Sequence, residues 1–546
     1  MKKILIALAA GICALANAQV AALPNGETPF VWENATVYFM LTDRFHNGDK
    51  STDVNFQRTA KAAPLRGFMG GDLRGVIQKI DEGYFDKLGV TAIWMTPLVE
   101  QIHNGTDEGT GLSYGFHGYW TRDWTKLDPN FGTADDLREL VRKAHQKGIR
   151  IVLDAVINHT GPVTGDDPVW PSEWVRTEPQ CDYKTYQSNI TCTLVKNLPD
   201  IRTESVANVD LPPALVEKWK KEGRYDDEVR ELDEFFKRSG YPRAPKYYIM
   251  KWLTDYIVDF GIDGYRADTV KHTEEKVWAE FSKECDYAFA KWKANNRALV
   301  LDNSKFYLIA EVYNYGISGG REFDFGDAKV DYFANGFDAM INFEFKWNAQ
   351  DSYEAIFSRY SDRLNTILEG KSVMNYLSSH DDGQPFDAAR TKSVESATKL
   401  LLSPGIAQIY YGDETARRLD VAEAQGDAKL RSFMNWDALS ADNSTLKHWQ
   451  KIGQFRKRHP AVGAGVHQQL SSSPYVFSRG YAKGMIVDKV VIGLDLPKGK
   501  KEITVAGVFK DGIVLRDYYS GQQATVSNGR VRLSTPYDIV LLELNK

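Results

Sequence analysis

Arg266 and Asp268 stand two residues apart in the stretch Gly261-Ile-Asp-Gly-Tyr-Arg-Ala-Asp-Thr-Val-Lys-His272. Gly261 stops the helix-like run before it, and a strand pattern follows. Period-two alternation then puts Arg266 and Asp268 on one face, Tyr265 and Ala267 on the other. A guanidinium beside a carboxylate keeps that carboxylate ionised. An ionised carboxylate at a strand end can attack an electrophilic carbon. A structural ion pair under a loop has the same spacing, so the pair alone does not decide. Three further fragments each close a predicted strand: Asp154-Ala-Val-Ile-Asn-His159, Glu311-Val-Tyr313 and Ser379-His-Asp-Asp382. Glu311 follows a largely apolar run at 306–310. Poor solvation and nearby carboxylates would hold it protonated, as a general acid requires. Asp268, Glu311 and Asp381 together thus offer a nucleophile, an acid and a third carboxylate.

Groups this far apart in sequence need a scaffold that gathers strand ends. Apolar runs predict strands at 37–44, 89–97, 150–159, 261–269, 306–313, 337–345, 372–382 and 405–414. Near-continuous runs of this kind suit a buried parallel sheet. Helical patterns lie between them, for example at 73–88, 133–147 and 247–260, with Thr133 as an N-cap and Gly148 as a stop. Strands alternating with helices predict an α/β fold, a (β/α)8 TIM barrel with its chemistry at the strand C-terminal ends. The rhythm breaks over 159–245, which carries a charged helical stretch at 214–238. That predicts a domain inserted after the third strand. Short alternating strands near the end predict a C-terminal all-β sandwich at 456–546. The barrel then occupies 30–158 and 246–455.

Net charge is 68 − 73 = −5, too mild and of the wrong sign for a nucleic-acid footprint. Apolar residues make up 43 % and charged ones 26 %, the balance of a soluble globular protein. Met1-Lys-Lys3, an apolar run and Ala16-Asn-Ala18 read as a secretory signal over 1–18, removed before Gln19. The mature chain is expected to be exported, periplasmic or secreted, with no membrane span. Cys13 leaves with the signal. Cys181 and Cys192 share a loop-like segment and could pair in an oxidising compartment. Cys285, on an amphipathic helix, reads as a buried thiol.

The four fragments, in this order, resemble the short regions of the alpha-amylase family, glycoside hydrolase family 13; the resemblance runs from about Val37 to about Glu414. It implies Asp268 as nucleophile, Glu311 as acid/base and Asp381 as the carboxylate that binds and distorts the sugar. It implies a retaining reaction, with the two reacting carboxyls about 5 Å apart. His159 and His380 match hydrogen-bond donors to the sugar, and Arg266 the partner of the nucleophile. Tyr119, in Gly115-Phe-His-Gly-Tyr-Trp120, matches the stacking aromatic, with His117 in support. Lys271 and His272 match a pair on the leaving-group side.

Two calcium sites are implied as well. Asn47, Asp49, Asp53, Asp72 and the Gly70 carbonyl resemble the N-terminal loop of cyclodextrin glycosyltransferases. Asn158, Asp200 and the His272 carbonyl resemble the site that ties the inserted domain to the barrel. Leu198-Pro-Asp-Ile-Arg-Thr-Glu-Ser205 and Gly118-Tyr-Trp-Thr-Arg-Asp-Trp124 look most like periplasmic alpha-amylases. The implied function is endo-hydrolysis of alpha-1,4 bonds in starch, glycogen or maltooligosaccharides. A transglycosylase, or an enzyme forming or degrading cyclodextrins, shares the same motifs. The length of 546 residues leaves no room for the extra C-terminal domains of typical cyclodextrin-forming enzymes, which favours hydrolysis. A glucan-binding protein without activity is the alternative of another class; all three carboxylates argue against it.

Overall fold

Eight short strands close into one parallel ring. They are β1 (Thr36–Met40), β2 (Ala92–Met95), β3 (Arg150–Ala155), β4 (Gly264–Ala267), β5 (Tyr307–Ala310), β6 (Ala339–Asn342), β7 (Ser372–Asn375) and β8 (Ile406–Tyr410). They follow one another around the ring in sequence order, and Thr36 of β1 pairs with Ala407 of β8 to close it. The structure is a computed structural model that describes residues 29–107, 109–440 and 442–545. The predicted signal and Cys13 lie outside the described residues.

Every residue of these eight strands is buried. That is why they are near-continuously apolar: one side fills the barrel and the other meets the helices. Each strand is shorter than its apolar run suggests. β7 was expected to reach 382 but stops at Asn375, seven residues sooner. Beyond it, side chains bond to other elements. Tyr376 donates to Asp382 at 2.6 Å and Ser378 to Asp413 at 2.6 Å, so the chain leaves the ladder and opens as a loop.

The helices obey local signals. Thr133 and Asp136 form a reciprocal capping box on Ala134–Gln146, and Gly148 follows it at φ +69°. The run at 73–88 divides into Leu73–Asp81 and Tyr84–Lys87 because Gly83 turns left-handed between them. Pro245–Phe260 begins on a proline and ends at Gly261, φ +73°, whose N–H bonds Ile257 O. A Cβ on Gly261 would sit 2.0 Å from the Trp292 ring, so glycine is required there twice over.

Between β3 and the Pro245–Phe260 helix the chain leaves the barrel. It forms a two-stranded ribbon (Val175–Arg176 with Asp200–Ile201) and a short helix, Tyr186–Ile190. The stretch at 214–238, expected as one helical run, is two helices, Pro213–Lys221 and Tyr225–Ser239, broken by Gly223 at φ +72°. Cys181 and Cys192 form a disulfide, and Cys285 is a buried free thiol. After the helix Ser444–Arg458, a six-stranded antiparallel sheet and a two-stranded ribbon pack Val491, Ile503, Val531 and Leu542 between them. Among the described residues no helix is long and apolar enough to cross a membrane.

Candidate active site

Register assembles the site. On β3 and β4, Asp154 lies opposite Arg266. On β4 and β5, Ala267 lies opposite Ala310. The next residue on each of the latter strands is a carboxylate. Asp268 N–H donates to Ala155 O and Glu311 N–H to Ala267 O, both at 3.0 Å, so both acids emerge one step beyond the ladder at the C-terminal mouth.

Arg266 is the hub. Its side chain is 1 % exposed, and it donates to Asp154 Oδ1 at 2.8 Å and to Asp268 Oδ1 at 2.7 Å through Nη1. Its Nη2 lies 2.9 Å from Glu311 Oε2. One guanidinium thus holds three carboxylates, as a planar fork with several donors can. Burial alone would lower its pKa, but Asp154 and Glu311 hold it well above the ordinary value. Burial pushes Asp154 up to about 6 against the pull of Arg266. Burial also drives Glu311 up to about 8; Arg266 opposes this, while Asp268 and Asp381 reinforce it. Glu311 Oε2 accepts from Thr269 N–H at 2.9 Å and is also the oxygen that ion-pairs with Arg266 Nη2. The proton of the acid form then belongs on Oε1.

The expected sugar-binding groups ring this centre. Tyr119 donates to Asp154 Oδ2 at 2.8 Å, and its ring stacks near-parallel on His380 at 5.4 Å. His117 Nδ1 accepts from Tyr119 N–H at 3.1 Å, which fixes the turn. His159 Nε2 lies 3.1 Å from Tyr119 O. Burial lowers the pKa of both His159 and His380, the latter further under Arg431 and Arg266, so both are neutral at neutral pH. Asp381 lies in the loop six residues past β7, 43 % exposed, with its Oδ2 3.5 Å from His380 Nε2. Lys271 Nζ donates to Tyr313 O at 3.3 Å, and burial lowers its pKa. His272 turns its Nδ1 to Asn189 O at 3.0 Å; burial pulls it down to about 4.

The two expected metal clusters differ. Asn158 Nδ2 lies 2.8 Å from Asp200 Oδ1 and 3.0 Å from His272 O, while its Oδ1 is buried without a hydrogen-bond partner. A half-turn of that amide would bring three oxygens together, a donor set suited to calcium. Burial holds Asp200 well above its ordinary pKa although Arg176 Nε lies 2.7 Å away. In the N-terminal loop, Asn47 donates to Asp53 Oδ1 at 2.8 Å beside Gly70, and Asn47 Oδ1 is likewise buried without a partner. Asp72, however, accepts from the Gly48, Asp49 and Gly75 amides, and Asp49 turns outward to cap Ser51. That loop gathers Asn47, Asp53 and Gly70 and commits Asp49 and Asp72 to backbone capping.

Sequence reasoning missed Asp154 and Trp94 as site residues. Trp94 donates to Asp154 Oδ2 at 3.2 Å, on the same oxygen as Tyr119. Asp154 begins one of the four fragments, and only the β3–β4 register shows that it faces Arg266. Arg431 was missed too; it donates to His380 O at 2.9 Å from a loop with no motif of its own.

A family model described as the alpha amylase catalytic domain matches residues 39–461. The periplasmic alpha-amylase of Escherichia coli (strain K12) is 35 % identical over 500 residues, covering 81 % of this chain and 69 % of that protein. A cyclomaltodextrin glucanotransferase of Bacillus sp. (strain 6.6.3) is 27 % identical over 518 residues, covering 91 % of this chain and 65 % of that protein. The chain therefore spans about two thirds of the length of these relatives. In fold it matches a solved cyclomaltodextrin glucanotransferase with a three-domain ABC distribution, at a TM-score of 0.63 and 20 % identity, over 94 % of this chain and 97 % of that one.

Proposed function

The chain belongs to the alpha-amylase family, and from that premise we propose that it is a retaining endo-hydrolase of alpha-1,4-glucosidic bonds in starch, glycogen or maltooligosaccharides. The observation that carries this is the grip of one guanidinium on both Asp268 and Glu311. It supports two carboxyls close enough for direct attack, about 5–5.5 Å apart, rather than the wider gap that admits a water. Arg266 occupies Asp268 Oδ1, and Oδ2 is the oxygen we assign to attack. As Oδ2 bonds to the anomeric carbon, the glycosidic C–O bond breaks and Glu311 gives its proton to the leaving oxygen. Glu311, now a carboxylate, takes a proton from water. The water oxygen displaces Asp268 from the same carbon, and both side chains return to their starting states. Asp381, His159 and His380 bind sugar hydroxyls, Tyr119 stacks on the ring, and Lys271 and His272 receive the leaving portion.

Glu311→Gln is expected to lower kcat by about 10²–10⁴-fold. Asp268→Asn is expected to fall to background while still binding maltoheptaose. Full turnover by either variant would move the chemistry elsewhere, and lost turnover with retained binding separates an enzyme from a glucan-binding protein. Transglycosylation differs only in what resolves the intermediate. Chain length does not discriminate, because a three-domain glucanotransferase has the same reach. The product profile on maltoheptaose decides: linear, shorter products support hydrolysis, and cyclic or lengthened ones support transfer.

We assign calcium to Asn158, Asp200 and the His272 carbonyl, and to Asn47, Asp53 and the Gly70 carbonyl, without Asp49 and Asp72, which cap backbone amides. Bound at Asn158, Asp200 and the His272 carbonyl, calcium would fix the inserted segment against the barrel; bound at Asn47, it would brace the loop after β1. A chelator should then lower the melting temperature, and added calcium should restore it; an unchanged melting curve would remove both sites. The apolar start of the chain and the periplasmic relative support export.

A further inference from the structure

The mouth of the barrel continues past Glu311 on one side. A groove of about 430 Å³ lies there, and its walls include Asn314, Phe323, Asp324, Phe343, Glu344 and Trp347. That volume falls within the range of small-ligand sites. The chain reaches it directly from Glu311. Asn314, at φ +70°, takes a left-handed turn that asparagine tolerates, and swings the segment after Tyr313 along the groove.

The groove and the catalytic centre share a wall. Lys271 Nζ lies 5.3 Å from the Tyr313 ring and 5.5 Å from the Phe323 ring. Tyr313 packs edge-on against Phe343 at 5.2 Å. Glu344 accepts from Ser318 Oγ at 2.6 Å and so stitches the loop after β5 to the turn after β6. On that turn, Lys346 points inward and ion-pairs with Asp382, next to Asp381. Its neighbour Trp347 points outward and is 52 % exposed. Lys346 Nζ sits 4.9 Å from the Trp347 ring, so the indole is backed on one side and open on the other.

We infer that this groove binds the leaving-group end of an alpha-1,4-glucan, beyond the sugars held by Lys271 and His272, with Trp347 as its platform. The assignment rests on the proposed function. Flat aromatic faces suit the C–H surface of a pyranose, and the carboxylates beside them accept from its hydroxyls. A polyanion is disfavoured by those same carboxylates. The occupant is therefore a neutral, polyhydroxylated chain that runs on from the bond being cleaved.

Binding and turnover test this separately. In the full-length Glu311→Gln protein, maltotriose and maltoheptaose are titrated by calorimetry with and without Trp347→Ala. The ratio of maltoheptaose to maltotriose affinity is expected to fall about fivefold on losing the indole, and Trp347→Phe to restore part of it. In the active protein, Trp347→Ala is expected to shift cleavage of reducing-end-labelled maltoheptaose toward shorter leaving fragments. Equal affinity ratios, or an unshifted product pattern in a protein that hydrolyses glucans, would overturn the groove and leave the hydrolase standing. If the parent protein cleaves no glucan, the hydrolase reading falls, and the titration still decides the groove.

Discussion

Glu311 carries opposite demands. It must be protonated to donate, and the burial that keeps it so makes its ionised form costly. Two pH effects follow. The alkaline limb of kcat/KM is expected near 8, because that profile reports the free enzyme's acid. The stability effect has the sign of a raised carboxylate: the folded state holds a proton that the unfolded state has released, so stability falls as pH rises from about 4.5 to about 8. Glu311→Gln removes that slope. Its melting temperature, measured against the parent at pH 5 and pH 9, should gain more at pH 9; equal differences would refute the buried acid. At this scale the pairing of Arg266 with Asp268 was legible, since a strand's period fixes it. Asp154 and Trp94 were not, because their place depends on register between strands, which no local pattern encodes.

Elements were legible where a signal was local. Thr133, Gly148 and Gly261 marked helix ends, and each does so in the structure. Strand lengths were overread, since loops over the barrel mouth are as apolar and as buried as the strands beneath them. Val156–Ile157 and Tyr376–Leu377 are buried yet outside the ladder. Gly261 matters most, because it hands the chain from a helix to the strand bearing Arg266 and Asp268. Gly261→Ala would impose both a left-handed alanine and a clash with Trp292. We expect a loss of about 1–3 kcal/mol or more, read as a lower denaturant midpoint at unchanged m. Wild-type stability in that variant would mean that Trp292 yields freely.

Across the whole molecule, the barrel and the C-terminal sheets meet at His459. Its Nδ1 lies 2.9 Å from Asp488 and its Nε2 2.8 Å from Glu543, and the side chain is 11 % exposed. Burial alone would lower its pKa, but the two carboxylates raise it. The contribution is full below the unfolded value near 6.5 and is lost as pH climbs through the raised folded value. His459→Gln should cost on the order of 1–3 kcal/mol at pH 6 and less at pH 9, checked by thermal melts at both; a cost independent of pH would contradict the charged clasp. The sequence showed that a small β-domain follows the barrel, but not how the two dock, because docking depends on surfaces that no motif marks.

The ring itself is joined late. β1 and β8 are separated by most of the chain, and Arg456 laces that join by donating to Leu401 O and Ser403 O at 2.9 Å and to Asn34 O at 3.1 Å, while Asn34 donates back to Arg456 O at 2.9 Å. During synthesis, then, the first strand must wait beside an open edge until β8 and the helix bearing Arg456 have left the ribosome. Nascent chains halted ahead of Arg456 should stay protease-sensitive however much of the barrel they already contain, and fold cooperatively only once the final stitch has been made.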